Sequence, residues 1–352
     1  MKAPQSLTLA GHSIGPEEPP FIIAEMSGNH NGDIGRALAI VDMAADAGAD
    51  AIKLQTYRAD TITIDHDSEE FMIRGGLWDG RRLFELYQEA YTPWEWHEEI
   101  FDYAKQKGLI AFSSPFDHTA VDFLESINSP AYKIASFEIV DIPLIEKAAG
   151  TGKPLIISTG MASLDDIDDA VKAATNAGAG GVILLHCVSG YPTPVEQANL
   201  RAMVELKARY GTFIGLSDHS MGISVPLAAV ALGATVIEKH VTLDRSAGGP
   251  DDAFSLEPDE LSALCKGARE AWQAMGSSER KLKPSEDGSQ KHRRSLYVVA
   301  DIKKGEALTE KNIRSIRPAN GLAPKHYRAV LGQRAKTDID FGTPLSFDLI
   351  EA

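Results

Sequence analysis

Eight short apolar runs of this chain each carry residues able to do chemistry at their ends. Glu25 closes "FIIAE", Lys53 and Gln55 lie in "AIKLQ", Ser113 and Ser114 end "LIAFSS", and Lys133 and Ser136 belong to "AYKIAS". Further on come Ser158 with Thr159, His186 with Ser189, then Ser217, Asp218 and His219, and last Glu238, Lys239 and His240. One such residue is ordinary; a polar set on every run is not. A glutamate closing an apolar run is costly unless it is paired, hydrated or used. Lysines and hydroxyls around one opening suit a phosphate or a carboxylate, held by charge-assisted hydrogen bonds. Taken singly, Lys53 or Lys133 could snorkel to solvent and each serine could merely end a strand. A desolvated lysine can also serve as a Schiff-base nucleophile.

His219 in "GLSDHS" and His240 in "IEKHVTL" end neighbouring runs, so their imidazoles can share a divalent ion, with positions left for water or a carbonyl oxygen. Such ligands leave Mn²⁺, Mg²⁺, Zn²⁺ and Co²⁺ all open, and each histidine alone reads equally as a structural or acid–base residue. "AGGPDDAF" brings Asp251 and Asp252 to the end of the last run, although Gly-Pro-Asp is also turn chemistry. "SGNHNGD" has the same double reading, and His30 has no ligand partner at suitable spacing.

Something must bring these ends together. The runs cover 21–25, 51–55, 109–114, 131–136, 154–159, 181–187, 212–218 and 235–240, and are rich in Ile, Val, Leu and Phe, as parallel strands buried on both faces are. Helical patterns such as "IGRALAIVDMAADAGAD" and "SLDDIDDAVKAATNAGAG" lie between them, the second with Ser163 as N-cap. Eight such units predict a (β/α)₈ barrel, whose chemistry sits at the C-terminal strand ends. An open doubly wound sheet competes, but it does not require eight regular units. The connection after the second run is long, and such βα loops form the mouth of a barrel site.

The expected organisation is a barrel domain over 1–275 with a short N-terminal extension, a polar linker over 276–291, and a small β-rich domain over 292–352. The last is too small to be an enzyme by itself. Against 35 basic residues stand 50 acidic ones, a formal charge of −15, which argues against bulk attraction to nucleic acid or an anionic membrane. Two cysteines, Cys187 and Cys265, make no disulfide framework and fit a reducing compartment. No apolar run reads as a leader or a membrane span, so the expected location is the cytoplasm.

The motifs, in order, resemble the sialic acid synthase family, which condenses phosphoenolpyruvate with an amino sugar to make nonulosonic acids. The segments are "AEMSGNHNGD", "AIKLQTY", "SSPFD", "YKIASFEI", "ISTGMAS", "LLHCVSGYPTP", "GLSDHS", "IEKHVTLDR" and "GPDDAFS". The tail "ADIKKGEALTEKNIRSIRP" resembles the antifreeze-like (SAF, β-clip) domain that closes such chains. The resemblance implies a TIM barrel and metal ligands at His219 and His240, with Mn²⁺ or Mg²⁺ foremost and Co²⁺ as a further choice. It implies phosphoenolpyruvate contacts at Lys53, Ser114, Lys133, Ser136, Ser158 and Ser217, with Ser189 standing where the family has another. Glu25 and Asp251 match catalytic carboxylates, and Gln55, Tyr191, Asp251 and Arg317 match residues around the acceptor sugar. Because Arg317 matches an arginine offered to a partner's site, a domain-swapped homodimer is implied.

Neuraminate-forming members commonly read Gly-Val-Asn-His-Asn-Gly after the glutamate, whereas this chain has Met26-Ser27-Gly28 before Asn29. With the loop "GGLWDGRRLFELYQEAYTPWEWH", this form is similar to the pseudaminic acid synthase branch, whose acceptor is 2,4-diacetamido-2,4,6-trideoxy-L-altrose. N-acetylneuraminate and legionaminate synthesis are the alternatives, and a non-catalytic sugar-binding or ice-binding protein is the alternative of another class. Trp78, Trp94 and Trp96 could cover the deoxy methyl group or could pack as core.

Overall fold

In the computed structural model, which describes residues 6–351, a small antiparallel hairpin of β1 (Leu7–Leu9) and β2 (His12–Ile14) comes first. The eight apolar runs follow as β3 (Phe21–Glu25), β4 (Ala51–Thr56), β5 (Ile110–Pro115), β6 (Tyr132–Ile134), β7 (Leu155–Ser158), β8 (Val182–Cys187), β9 (Phe213–Asp218) and β10 (Val236–His240). All pair in parallel with their sequence neighbours, and β10 closes onto β3, so the expected barrel forms. Helices return the chain along the outside, and Ser163 caps Leu164–Asn176 by accepting from Asp166 N.

The inner wall changes character from bottom to top, because side chains alternate across a strand. Phe21, Ile23, Ala51, Phe112, Ala131, Ile156, Phe213 and Val236 form one buried apolar cluster with Leu7, Leu9 and Ile14 of the hairpin. Two residues further along the strands, the same inward row carries Glu25, Lys53, Ser114, Lys133, Ser158 and Glu238, and on β9 Ser217 follows beyond Gly215. The floor is therefore hydrocarbon and the mouth polar. At Gly215 a methyl group would stand 2.6 Å from Leu185 Cδ2 and 2.9 Å from Val236 Cβ, so the narrow interior admits no side chain there. The hairpin seals the floor, with Leu7 packed where a side chain at Gly181 would have to go. The sequence had marked this hairpin only as an extension.

The chain divides into two compact units, Met1–Gly276 and Ser277–Ala352. The second unit pairs β11 (Ser295–Val298) with β12 (Ile313–Ile316) and has its own core, including Leu296, Ile302, Val330 and Leu345. Starting within the stretch expected as a linker and ending one residue past it, Pro284–His292 forms an exposed 3₁₀ helix. Residues 1–5 and 352, assigned above to the end domains, lie outside the described residues. Among the described residues no helix is long and apolar enough to cross a membrane.

Candidate active site

Glu25 ends β3 directly beside Lys53 of β4, and Lys53 Nζ lies 2.9 Å from Glu25 Oε2. The same ammonium donates to Ser114 Oγ at 3.2 Å and stands 3.5 Å from Glu238 Oε1. That one oxygen also accepts from Lys133 Nζ at 3.1 Å and from Ser217 Oγ at 3.2 Å. Glu238, two residues before His240, is thus the hub of the cluster. It was named among the strand-end residues but given no role, because three ionisable residues in a row hide which ones face inward until the register is known. Alternation from His240 was the available signal.

All four ionisable groups are buried. Burial pushes the Glu25 carboxyl up to about 7 against the pull of Lys53, with Glu238 adding to the rise. Burial would raise Glu238 too, but the ammonium groups of Lys133 and Lys53 outweigh it and hold that carboxyl at about 2. Burial lowers Lys133 below the ordinary lysine value despite Glu238, and Lys53 reinforces the fall. Removing the hub by Glu238→Ala is expected to cost about 3–5 kcal/mol of stability by leaving two ammonium groups buried without their shared carboxylate. Denaturant unfolding would measure it; a loss below about 1 kcal/mol would show that water or Glu25 compensates.

Ser136 and Ser189 share a hydrogen bond of 2.9 Å across the mouth. Gly160 closes in on both, and a methyl there would stand 2.8 Å from Ser189 Oγ. Several buried polar atoms at this end keep hydrogen-bonding capacity free: Glu25 Oε2, Ser158 Oγ, Glu238 Oε2, His240 Nδ1 and Glu138 Oε2. Glu138 was not singled out from the sequence, although it follows Ser136 by two residues. Burial pushes its carboxyl up to about 7. The two buried lysines with the hydroxyls of Ser114, Ser158 and Ser217 are the donors of this set, and they suit a small, highly oxygenated anion.

On the other side, Gln55 Nε2 donates to Glu25 Oε1 at 2.8 Å and to Ser27 Oγ at 3.1 Å. Ser27, left-handed at φ 49°, donates its own hydroxyl hydrogen bond to Asp251 Oδ2. Burial pushes the Asp251 carboxyl up to about 6, and its Oδ2 lies 3.8 Å from His240 Nδ1. The imidazole centroids of His219 and His240 are 5.4 Å apart, and the ring of Tyr191 is 4.3 Å from that of His219. His219 Nδ1–H donates to Val188 O at 2.9 Å, which turns Nε2 free as a ligand. Burial holds His219 down at about 4 and His240 well below the ordinary value, so both are neutral donors at pH 7. Two neutral imidazoles, one with a buried unpartnered nitrogen, fit a divalent ion. No set of three or more His, Cys, Asp or Glu gathers for one among the described residues. Two nitrogens would therefore be the shared donors, beside substrate oxygens and water.

The structure also sorts out the rest of the polar set. Ser113, Thr159, His186, Asp218 and Lys239 turn away from the mouth, since they occupy the outward positions of their strands. Ser113 bonds Thr56 Oγ1 at 2.6 Å, Thr159 Oγ1 donates to Leu185 O, and His186 Nε2 bonds Ala198 O at 2.8 Å. Lys239 Nζ donates to Asp218 Oδ2 at 2.6 Å and to Ser220 O, a buried clamp between the residues flanking His219 and the one before His240. Asp252 points away from Asp251 and accepts from Gly249 N at 2.7 Å, holding its turn. His30 takes Gly32 N–H on Nδ1 at 3.1 Å and bonds Thr92 Oγ1 at 3.3 Å, so its nitrogens serve the loop. Arg317 follows β12 in the second unit and is exposed.

Comparison with known proteins now adds to this geometry. A family model described as NeuB family matches residues 40–280, and one described as SAF domain matches residues 293–351. Pseudaminic acid synthase of Helicobacter pylori is 45% identical over 337 residues, spanning 95% of this chain and 98% of that protein. N,N'-diacetyllegionaminic acid synthase of Campylobacter jejuni is 40% identical over 322 residues, spanning 90% of this chain and 95% of that one. The crystal structure of an N-acetylneuraminic acid synthetase from Leptospira borgpetersenii, in complex with citrate, matches with a TM-score of 0.73 at 37% identity, covering 82% of this chain and 96% of the other.

Proposed function

The chain belongs to the NeuB family, and from that premise we propose that it condenses phosphoenolpyruvate with 2,4-diacetamido-2,4,6-trideoxy-L-altrose to give pseudaminic acid and phosphate. The observation that carries the reaction type is the buried cluster of Lys53, Glu238 and Lys133 with Glu25 beside it. The acceptor rests on the pseudaminic acid synthase relatives, which are the more similar.

Lys53 and Lys133, with Ser114, Ser136, Ser158, Ser189 and Ser217, hold the phosphate and carboxylate of phosphoenolpyruvate and fix its C3 toward the acceptor. His219 and His240 would hold a divalent ion, whose chemistry when bound would be Lewis-acid activation of the aldehyde of the open-chain sugar. Gln55, Tyr191 and Asp251 orient that sugar. C3 of phosphoenolpyruvate bonds to the aldehyde carbon, whose oxygen is protonated to a hydroxyl, with the Asp251 carboxyl, raised to about 6, placed to manage that proton. Water adds to the cationic C2 and gives its proton to Glu25. The C2–O bond to phosphate then breaks as the C2 hydroxyl gives its proton to the departing phosphate, and C2 becomes the ketone. Glu25 meanwhile faces the positive charge that develops at C2.

Exposed Phe137, Val140, Met161 and Val195, at 59%, 62%, 57% and 58%, follow β6, β7 and β8 on the mouth side. Such a rim supports coverage by another copy, in a domain-swapped homodimer where Arg317 of the partner subunit completes the sugar site. Two buried free cysteines and a substrate drawn from central metabolism agree with work in the cytoplasm.

The test is an acceptor panel with phosphoenolpyruvate and a divalent ion, read by phosphate release and product mass. The altro-configured diacetamido sugar is expected to outperform its gluco-configured isomer and N-acetylmannosamine. A preference for N-acetylmannosamine would overturn the acceptor; phosphate release with none of them would overturn the reaction.

A further inference from the structure

The long connection between β4 and β5 holds three tryptophans, and they have different surroundings. Trp94 stacks on Phe123 with centroids 4.8 Å apart, and its Nε1–H donates to Tyr57 O at 3.2 Å. Trp96 meets His30 edge-on at 5.5 Å. Both are packing residues. Trp78 sits near the tip of a small hairpin, where Met72 and Arg82 bridge and Gly80 N donates to Ile73 O at 2.9 Å. Gly75, Gly76 and Gly80 turn this tip at φ 77°, 75° and 80°.

The tip is planted on the mouth. Trp78 Nε1–H donates to Pro250 O at 2.8 Å, one residue before Asp251, and the indole lies 5.6 Å from the ring of Tyr191. Since Tyr191 packs on His219, Trp78 is the outer member of an aromatic row that starts at the histidine pair. The return leg of the loop is set close by Gly28, where a methyl would stand 3.1 Å from Ala90. The Met26-Ser27-Gly28 turn and the hairpin thus belong to one arrangement.

We infer that Trp78 is the specificity residue for the far end of the acceptor, walling the place of its last carbon and favouring a methyl over a hydroxymethyl group. This rests on the acceptor reading above, with the aldehyde at His219 and His240. An extended six-carbon chain anchored there directs its terminal carbon outward along the aromatic row. The single polar group of the indole is already spent on Pro250, so its face offers dispersion and no hydrogen-bond partner. A methyl gains from burial against it, whereas a hydroxyl would lose water without replacement. Apolar walls of this kind discriminate by about 10- to 200-fold.

The experiment measures kcat/KM for the 2,4-diacetamido-2,4,6-trideoxy sugar and for its 6-hydroxy counterpart at saturating phosphoenolpyruvate. The wild-type enzyme is expected to favour the 6-deoxy sugar. Trp78→Ala is expected to cut that ratio by about tenfold or more, chiefly through KM for the 6-deoxy sugar, with KM for phosphoenolpyruvate unchanged. Trp78→Gln, which places an amide at the tip, is expected to raise kcat/KM for the 6-hydroxy sugar. A ratio unchanged in both variants overturns the role of Trp78 and leaves the acceptor standing. A wild-type preference for the 6-hydroxy sugar overturns the acceptor reading and this inference with it.

Discussion

Glu25→Gln is expected to fold, to bind phosphoenolpyruvate and to turn over about 10²- to 10⁴-fold more slowly than the parent enzyme. Glutamine keeps the shape and can still accept from Gln55, but it cannot take a proton from water or face a cation with a full charge. The pH profile gives an independent readout. A base must be ionised, and burial has pushed this carboxyl up to about 7, so kcat should fall as pH drops below that value. Stability moves the other way. A carboxyl raised from 4.5 to about 7 in the fold is costly when charged, so its cost is relieved as pH falls through 7. Activity lost at pH 6 with no loss of stability would therefore belong to the site. Full turnover in Glu25→Gln would remove Glu25 from the mechanism.

Stripping divalent ions with a chelator is expected to stop phosphate release, and adding them back to restore it. His240→Ala should weaken ion binding, followed by calorimetry, by more than the roughly 10- to 100-fold typical of losing an outer partner. His219→Ala should do the same, since Val188 O holds its ring in the ligating tautomer. Both effects are visible without any turnover. A chelated, ion-free enzyme at full rate would overturn the assignment of this pair.

The barrel was legible because strands buried on both faces are written as dense apolar runs, and β3 begins and ends where the run "FIIAE" does. The inward lysines and serines were legible for the same reason, as each interrupts such a run. What failed was facing. "VIEKH" carries Glu238, Lys239 and His240 in succession, and sequence could not say that Lys239 points outward to Asp218 while its neighbours point in. The tryptophans were undecided because what separates Trp78 from Trp94 and Trp96 is a contact with Pro250, far along the chain. The floor hairpin was missed because "LTLAGHSI" is short, and its two-residue turn uses Ala10 at φ 48° before Gly11, an unusual choice for φ > 0.

That hairpin has a consequence for how the molecule is made. Leu7 leaves the ribosome well before Gly181, yet it packs there, beside a strand synthesised about 175 residues later. At about 5–20 residues per second, it must wait roughly 10–35 s for its place to exist. During that interval Leu7, Leu9 and Ile14 are an apolar segment without the floor that buries them. The stopper of the barrel is made before every strand it seals and cannot be seated until β8 exists, so a nascent chain stalled before β8 would be a natural client for a chaperone.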